Sequence, residues 1–227
     1  IFLFLLVLYP MVNLVYLSLF DYSLIGQKEF IGLDNYKALF FYQKDFLITL
    51  KNTAVYTAAV VFFLILFAVL FAVWFQKDTR INHFAQKAVF TPYLVAMISC
   101  GLIWSWIMDT KGLLNAVMQF FQLPGLRWLN SSDTAMLSIV IVSVWRSIGY
   151  YMLIVIGALK AIPAEIYEAA ELDNTGPFRK FFKITLPLLS PQLLFLLVTI
   201  TINSFKVFDT VRIMTEGGPG NSTDVIT

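Results

Sequence analysis

Charge is what this chain of 227 residues has least of. Asp, Glu, Lys and Arg make up 13% of it against 59% hydrophobic residues, and the mean hydropathy is +0.78. Soluble domains carry about 25% charged residues. A chain this poor in charge would expose wide apolar surface to water, so a water-soluble globule is excluded and the solvent is lipid. There is one cysteine, Cys100, inside an apolar run. That excludes an intrachain disulfide and leaves a small buried hydrophobe. The one histidine, His83, stands in a basic loop without ligand partners and reads as solvated; no metal set forms around it. A net charge of +2 excludes nucleic acid as a partner. No Gly-x-x-x-x-Gly-Lys-Ser/Thr loop is present, so the chain has no cofactor of its own and does not hold ATP. Neither His-Glu-x-x-His nor Gly-x-Ser-x-Gly occurs, which removes the usual intramembrane hydrolases.

What the chain does have is long apolar runs. About five of them approach the roughly 20 residues that cross a bilayer: residues 1–20, 53–75, 88–108, 135–159 and 186–207. The fold class expected is all-α, a polytopic membrane helical bundle. The first run continues past Pro10 without a small-residue cleavage pattern, as a membrane helix does and a cleaved signal does not. Pro187 and Pro191 are expected in the first turns of the last span, where neighbours can cover a freed carbonyl. The chain begins at Ile1 inside an apolar run and stops at Thr227 in an open loop. It reads as a single transmembrane domain, 1–227, cut at both ends, with a sixth span expected beyond the C-terminus. Residues 112–121 are too short and polar to cross and read as an amphipathic helix on the membrane face, ended by the turn Leu123-Pro124-Gly125.

Basic residues orient the spans. Loop 76–87 carries Lys77, Arg80 and Lys87, and loop 160–183 carries Lys160, Arg179, Lys180 and Lys183. Their density is roughly twice that of the opposite loops, which places these two in the cytoplasm. The stretch Arg179-Lys180-Phe181-Phe182-Lys183 reads as an interfacial anchor, with cations at headgroups and rings at the boundary.

The second of these loops has helix grammar. Pro163 suits a first helical position, Ala, Glu and Leu follow, and Asn174 suits a left-handed cap. Glu165, Glu168 and Glu171 fall on one face. From these residues alone a solvated linker helix with acidic residues at its N-terminus is a better account than a docking element.

Glu168-Ala169-Ala170, then Asn174, then Ile184-x-Leu186-Pro187, resembles the signature loop of permease subunits in bacterial ABC importers. Asn174 stands where the family has Gly, and Asn is the next-best residue at positive φ. Gly32-Leu33-Asp34-Asn35-Tyr36, Phe205-Lys206-Val207-Phe208-Asp209 and Gly217-Gly218-Pro219-Gly220-Asn221-Ser222-Thr223 are similar to the sugar-importer branch, the maltose and glycerol-3-phosphate type. The resemblance implies a multi-pass protein of the bacterial inner membrane that translocates a carbohydrate-type solute by alternating access. It implies partners: ATPase subunits holding ATP and Mg, a second homologous permease, and an extracytoplasmic solute-binding protein, for whose docking the glycine-rich loop is a candidate. It assigns 160–185 as a cytoplasmic coupling loop, with Glu165, Glu168, Ala169, Ala170, Asp173, Asn174, Ile184, Leu186 and Pro187 as the ATPase-coupling residues.

Candidates for the solute path are Arg146, Tyr150, Asn203, Phe205 and Phe208. Arg146 falls mid-span, where a charge costs a few kcal/mol or more; it either lines the path or serves as a structural partner for another helix. Thr199, Thr201, Asn203 and Ser204 make the last span polar. Amide and aromatic groups together suit a sugar's hydroxyls and C–H faces, and the same groups also serve interhelical hydrogen bonds. Two other classes remain: an ion-coupled secondary transporter, disfavoured by the lack of intramembrane carboxylates, and a membrane enzyme or non-catalytic scaffold. The solute stays open among oligosaccharide, monosaccharide, polyol and glycerol phosphate.

Overall fold

The computed structural model describes residues 2–22 and 28–226. Ile1 and Thr227, read above as cut ends, lie outside the described residues. The chain divides into two compact units, Ile1–Leu50 and Lys51–Thr227.

In the first unit, α1 (Phe4–Leu17) is followed by a two-residue antiparallel ribbon, β1 (Phe20–Asp21) with β2 (Glu29–Phe30), in the register Phe20 to Phe30. The span expected over 1–20 is therefore shorter, because the chain leaves the helix at Ser18 for the ribbon. The Gly-Leu-Asp-Asn-Tyr motif explains that exit. Gly32 takes φ +61, Asp34 opens α2 (Asp34–Lys37), and Asn35 Nδ2 donates to the carbonyls of Ser18 (2.9 Å) and Phe20 (3.1 Å). The hydroxyls of Tyr36 and Ser18 meet at 2.7 Å.

The second unit is helical. Its elements are α3 (Lys44–Phe75, entering from the first unit), α4 (Arg80–Leu94), α5 (Met97–Ile107), α6 (Leu113–Phe120), α7 (Ser132–Lys160), α8 (Ala164–Leu172), α9 (Pro177–Ser204) and α10 (Asp209–Met214). Among the described residues α3, α7 and α9 are each long and apolar enough to span a membrane, and α4 with α5 adds a fourth candidate if the pair is one broken span. The helix α7 is the hub: 61% of its apolar window is buried, against 28% for α3 and 22% for α9. Its Ile139, Val144, Ile148, Met152 and Val155 pack with Tyr56, Val60, Leu64, Ala68 and Ala72 of α3 and with Leu189, Leu196 and Ile200 of α9. Ala68 and Ala72, fully buried, let backbones approach where lipid offers no hydrophobic drive. The other face of α3 leaves Phe62, Leu70 and Trp74 exposed, as a lipid-facing side requires.

Within this unit three more spans differ from expectation. The second starts earlier, at Lys44. The third, expected straight over 88–108, is two helices bent by 100°. Pro92 lies in the last turn of α4, where it removes a donor, and Val95 and Ala96 are extended, with ψ 138 and 139. The helix α4 also takes up most of the loop expected at 76–87; Thr79 caps it by accepting from the Asn82 N–H at 3.2 Å. The fifth begins at Pro177, so Pro187 and Pro191 are interior rather than opening. A π-helical turn, Phe181–Thr185, sits immediately before Pro187, with the Leu186 N–H reaching back to the Phe181 carbonyl. Such a turn absorbs the mismatch that a proline imposes on the ladder. The segment Arg179–Lys183 is thus within a helix.

Smaller corrections follow the same logic. The helix α6 forms as expected, but Gln122 ends it by taking φ 58, with Leu123 N–H bonded to the Met118 carbonyl and Gln122 N–H to Gln119. The turn Leu123-Pro124-Gly125 comes after that stop. Asn115 of α6 is buried and bonds the backbone of Leu126 in both directions and the Trp128 indole. His83 is not alone: its ring bonds the Asp78 carboxylate. That hydrogen bond, the His83 charge and Lys160 hold Asp78 below the usual carboxylate range. The Gly-Gly-Pro-Gly stretch is irregular but tied down: Thr223 is fully buried and bonds the Gly218 carbonyl, and Asn52 Nδ2 donates to the carbonyls of Asn221 and Asp224.

Gly149 is where α7 meets α4 most closely. A Cβ there would fall 2.3 Å from the Val89 carbonyl oxygen and 2.5 Å from the Phe90 Cα. Backbone cannot give way as a side chain can. Gly149→Ala should cost ~1–3 kcal/mol through overpacking, read as a lower unfolding midpoint of the solubilised protein. Gly157→Ala on the same helix, with no atom within 4 Å, should keep or raise that midpoint, since alanine favours a helix interior.

Candidate functional site

The break between α4 and α5 shapes a cavity of about 280 Å3. The helix α3 lends it Tyr56, Val60 and Leu64; α4 and α5 lend Tyr93 and Met97; α7 lends Ser143, Arg146, Ser147 and Tyr151; α9 lends Ile200, Asn203 and Ser204; and residues 206–210 close one side. Tyr56 donates to Ser143 Oγ at 2.9 Å. Asn203 Nδ2 donates to the Tyr151 hydroxyl at 3.3 Å. Tyr93 stacks on Tyr150 with centroids 4.6 Å apart.

Arg146 joins the two halves of the broken span. The carbonyls of a last helical turn have no intrahelical donor, and Arg146 supplies donors. Its Nε and Nη2 reach the Val95 carbonyl at 3.2 and 3.1 Å, and Nη2 reaches Tyr93 at 3.4 Å. Its guanidinium also lies over the Tyr93 ring, 5.2 Å from the centroid. The two readings of Arg146 are therefore not exclusive. It braces a neighbouring element and lines the cavity at once.

The opposite end of α7 turns into α8. Pro163 is the N-cap, with ψ 135, and not the first helical residue. The helix stops as its sequence suggests: Asn174 takes φ 50, Thr175 N–H bonds the Ala170 carbonyl and Asn174 N–H bonds Glu171. This is the Schellman pattern, with Asp173 as the C-cap. Two side-chain links fasten α8 to α9. Tyr167 and Thr185 hydroxyls meet at 3.2 Å, and Lys180 Nζ meets Glu171 at 2.9 Å. Lys180 holds the Glu171 carboxyl below its ordinary range, by hydrogen bond first and charge second. Glu165, Glu168 and Ala169 are exposed, and Ala170 is buried beneath them.

The structure thus gathers some sequence candidates and separates others. Arg146, Asn203 and Phe208 line one cavity; Tyr150 and Phe205 do not. Tyr150 supports Tyr93 from behind, and Phe205 is half exposed. Thr199 and Thr201 bond carbonyls of their own helix, Phe195 and Leu197. Glu165, Glu168, Ala169, Ala170, Asp173 and Asn174 form one short element, whereas Ile184, Leu186 and Pro187 lie on α9 and set its π-helical turn. Sequence reasoning missed Tyr56, Tyr93, Tyr151, Lys206 and Asp209 of the cavity, and the exposed Leu172 and Phe178 flanking the turn after α8. Pro92 followed two residues on by polar-free Leu94-Val95-Ala96 was the available sign of the break.

Residues 55–226 match the family model described as binding-protein-dependent transport system inner membrane component. The chain is 33% identical over 225 residues to the sulfoquinovosyl glycerol transport system permease protein of Agrobacterium fabrum, covering 98% of this chain and 73% of that one. It is 30% identical over 222 residues to a probable starch degradation products transport system permease protein of Thermoanaerobacterium thermosulfurigenes, covering 97% and 75%. Its fold matches, with a TM-score of 0.81 and 20% identity over 97% of this chain and 74% of the other, a chain in the crystal structure of a bacterial alginate ABC transporter in complex with an alginate pentasaccharide-bound periplasmic protein.

Two outcomes test the geometry. Arg146→Leu should lower stability by ~1–3 kcal/mol, since it strands two carbonyls, read as a drop in the unfolding midpoint. Arg146→Lys should recover only part, because an ammonium cannot reproduce the planar fork. Glu171 has its folded pKa lowered, so its contribution is present above the unfolded value near 4.5 and fades as pH falls through the folded one. Protection of the amides of residues 173–176 in hydrogen exchange should fall below pH 4.5, and Glu171→Gln should abolish that pH dependence.

Proposed function

Because this chain belongs to the family of binding-protein-dependent transport system inner membrane components, in its sugar-importer branch, we propose that it forms part of the membrane path of an ATP-driven importer for a carbohydrate-type solute. Permeases of this family are not enzymes, and the chain is an inner membrane component. Hydrolysis falls to partner ATPases, with ATP and Mg on those subunits. A second, homologous permease completes the path, and an extracytoplasmic binding protein delivers the solute. The alginate transporter, which was crystallised with such a protein, supports that partner.

One observation carries the reading. The two helices that flank α8 are the two that contribute most of the polar groups to the cavity: α7 through Ser143, Arg146, Ser147 and Tyr151, and α9 through Asn203 and Ser204. A push on α8 reaches α9 through Tyr167–Thr185 and Glu171–Lys180, and reaches α7 through the chain itself. The element is stiff, being capped at Pro163 and closed at Asn174. Its free face offers the exposed Glu165, Glu168 and Ala169, and Leu172, 85% exposed, supplies an apolar contact. We assign residues 160–185 as the coupling loop, on the cytoplasmic side, within one transmembrane domain. ATP-driven closure of the ATPases moves α8; the cavity opens outward, then inward after hydrolysis. The permease shifts only by the difference in contacts that its partners make with each state.

The cavity chemistry supports a carbohydrate. Tyrosine faces suit C–H patches, and hydroxyl and amide groups suit hydroxyls.

Co-purification tests the frame. The complete subunit, expressed with its permease, ATPase and binding-protein partners, should retain the ATPase. Glu168→Lys should release it, or should leave hydrolysis running without solute uptake. If the ATPase never associates, or Glu168→Lys changes neither association nor uptake, α8 is a linker and the coupling role is lost.

A further inference from the structure

The cavity contains more charge than a neutral sugar needs. Arg146 and Lys206 are its cations and Asp209 its carboxylate. The ion pairs Lys37–Asp34, His83–Asp78 and Lys180–Glu171 all lie outside the cavity. The Arg146 guanidinium spends Nε and Nη2 on the carbonyls of Val95 and Tyr93, which are neutral acceptors and leave its charge in place. Its Nη1 has no acceptor among the described residues, and neither has the Lys206 ammonium.

The lining therefore has an excess of one positive charge. Even if Lys206 and Asp209 offset one another, Arg146 stays unbalanced. Arg146 lies midway along α7, in a helix whose surroundings are apolar. A cation there is costly unless something balances it, and low-dielectric walls focus its field on whatever enters the cavity. Neutral polyols gain little from such a field. A carboxylate, sulfonate or phosphate gains charge-assisted hydrogen bonds from both cations.

We propose that the cavity selects a carbohydrate-type solute bearing an anionic group, held between Arg146 Nη1 and Lys206 Nζ, with Tyr93, Tyr151 and Asn203 addressing its neutral part. This rests on the importer reading above. The three sources of the charge share one chemistry, an oxyanion with several acceptor oxygens. Asp209 then acts against a second negative charge, and so favours solutes with a single anionic group per sugar unit.

The test uses the full importer, with its second permease, ATPases and binding protein, in proteoliposomes supplied with ATP. The probes are matched pairs: glycerol against glycerol 3-phosphate, galactose against galacturonate, and a glucosyl glycerol against its 6-sulfonate. An anionic member should enter and its neutral partner should not. Lys206→Gln should lower that uptake about tenfold, the worth of one charge-assisted hydrogen bond, while Lys206→Arg should restore most of it. Lys206 is exposed, so its replacement should not disturb folding, and retained ATPase association checks that. The proposal is overturned if a neutral member enters as well as its anionic partner, or if Lys206→Gln leaves anion uptake unchanged while ATP-driven uptake persists. If no probe enters and ATP hydrolysis does not respond to the loaded binding protein, the importer reading itself fails, and the charge selection falls with it.

Discussion

A helix that breaks inside an apolar bundle leaves carbonyl oxygens with nothing to accept from. The cost of that is large where no water competes, and the second unit of this protein is arranged around meeting it. The bend of 100° between α4 and α5 exposes the carbonyls of Tyr93 and Val95. Arg146 answers them from α7, and only because α7 is close. Its closeness in turn depends on Gly149, one turn further on, against the α4 backbone. The break, the arginine and the glycine form one device, whose by-product is a cavity walled by tyrosines.

The same arginine serves two ends because a guanidinium has five donors on three nitrogens. Two nitrogens brace the break, and the third makes no hydrogen bond among the described residues. A lysine would not divide its function in this way, having one nitrogen to place. One residue therefore both braces the break and lines the cavity. Two pairs of the cavity's polar groups fix each other, Tyr56 with Ser143 and Tyr151 with Asn203.

The membrane character of the chain, the apolar core helices and the stop of α8 at Asn174 were readable from residues in order. They depend on local rules: hydropathy over a window, and the tolerance of Asn for positive φ. The signature spacing through Glu168 and Pro187 was equally legible as a resemblance. The expectation went astray where local rules meet a neighbour. Apolar residues 88–108 look like one span because hydropathy does not register a bend, and Pro92 alone does not say how sharp a bend will be. The fifth span looked as if it opened at Leu186 because the charged run 179–183 reads as loop, yet the helix runs through it by inserting a π-helical turn. Of the aromatic side chains, Tyr93 and Tyr151 line the cavity while Tyr150 and Phe205 do not; rotation about the helix axis decides this, and sequence near a break or a proline does not specify it.

By itself, then, the sequence determined the solvent, the secondary structure of the long helices and the short capped helix that follows α7. All of these follow from interactions within a few residues of chain. Only the tertiary structure decided which side chains share the cavity, because Tyr56, Tyr93, Arg146, Asn203 and Lys206 are far apart along the chain and converge through the packing of α3, α7 and α9 around a bend. It also decided that Arg146 braces carbonyls while its charge goes unpaired, since that depends on which acceptors lie within reach, and reach is a property of the folded bundle.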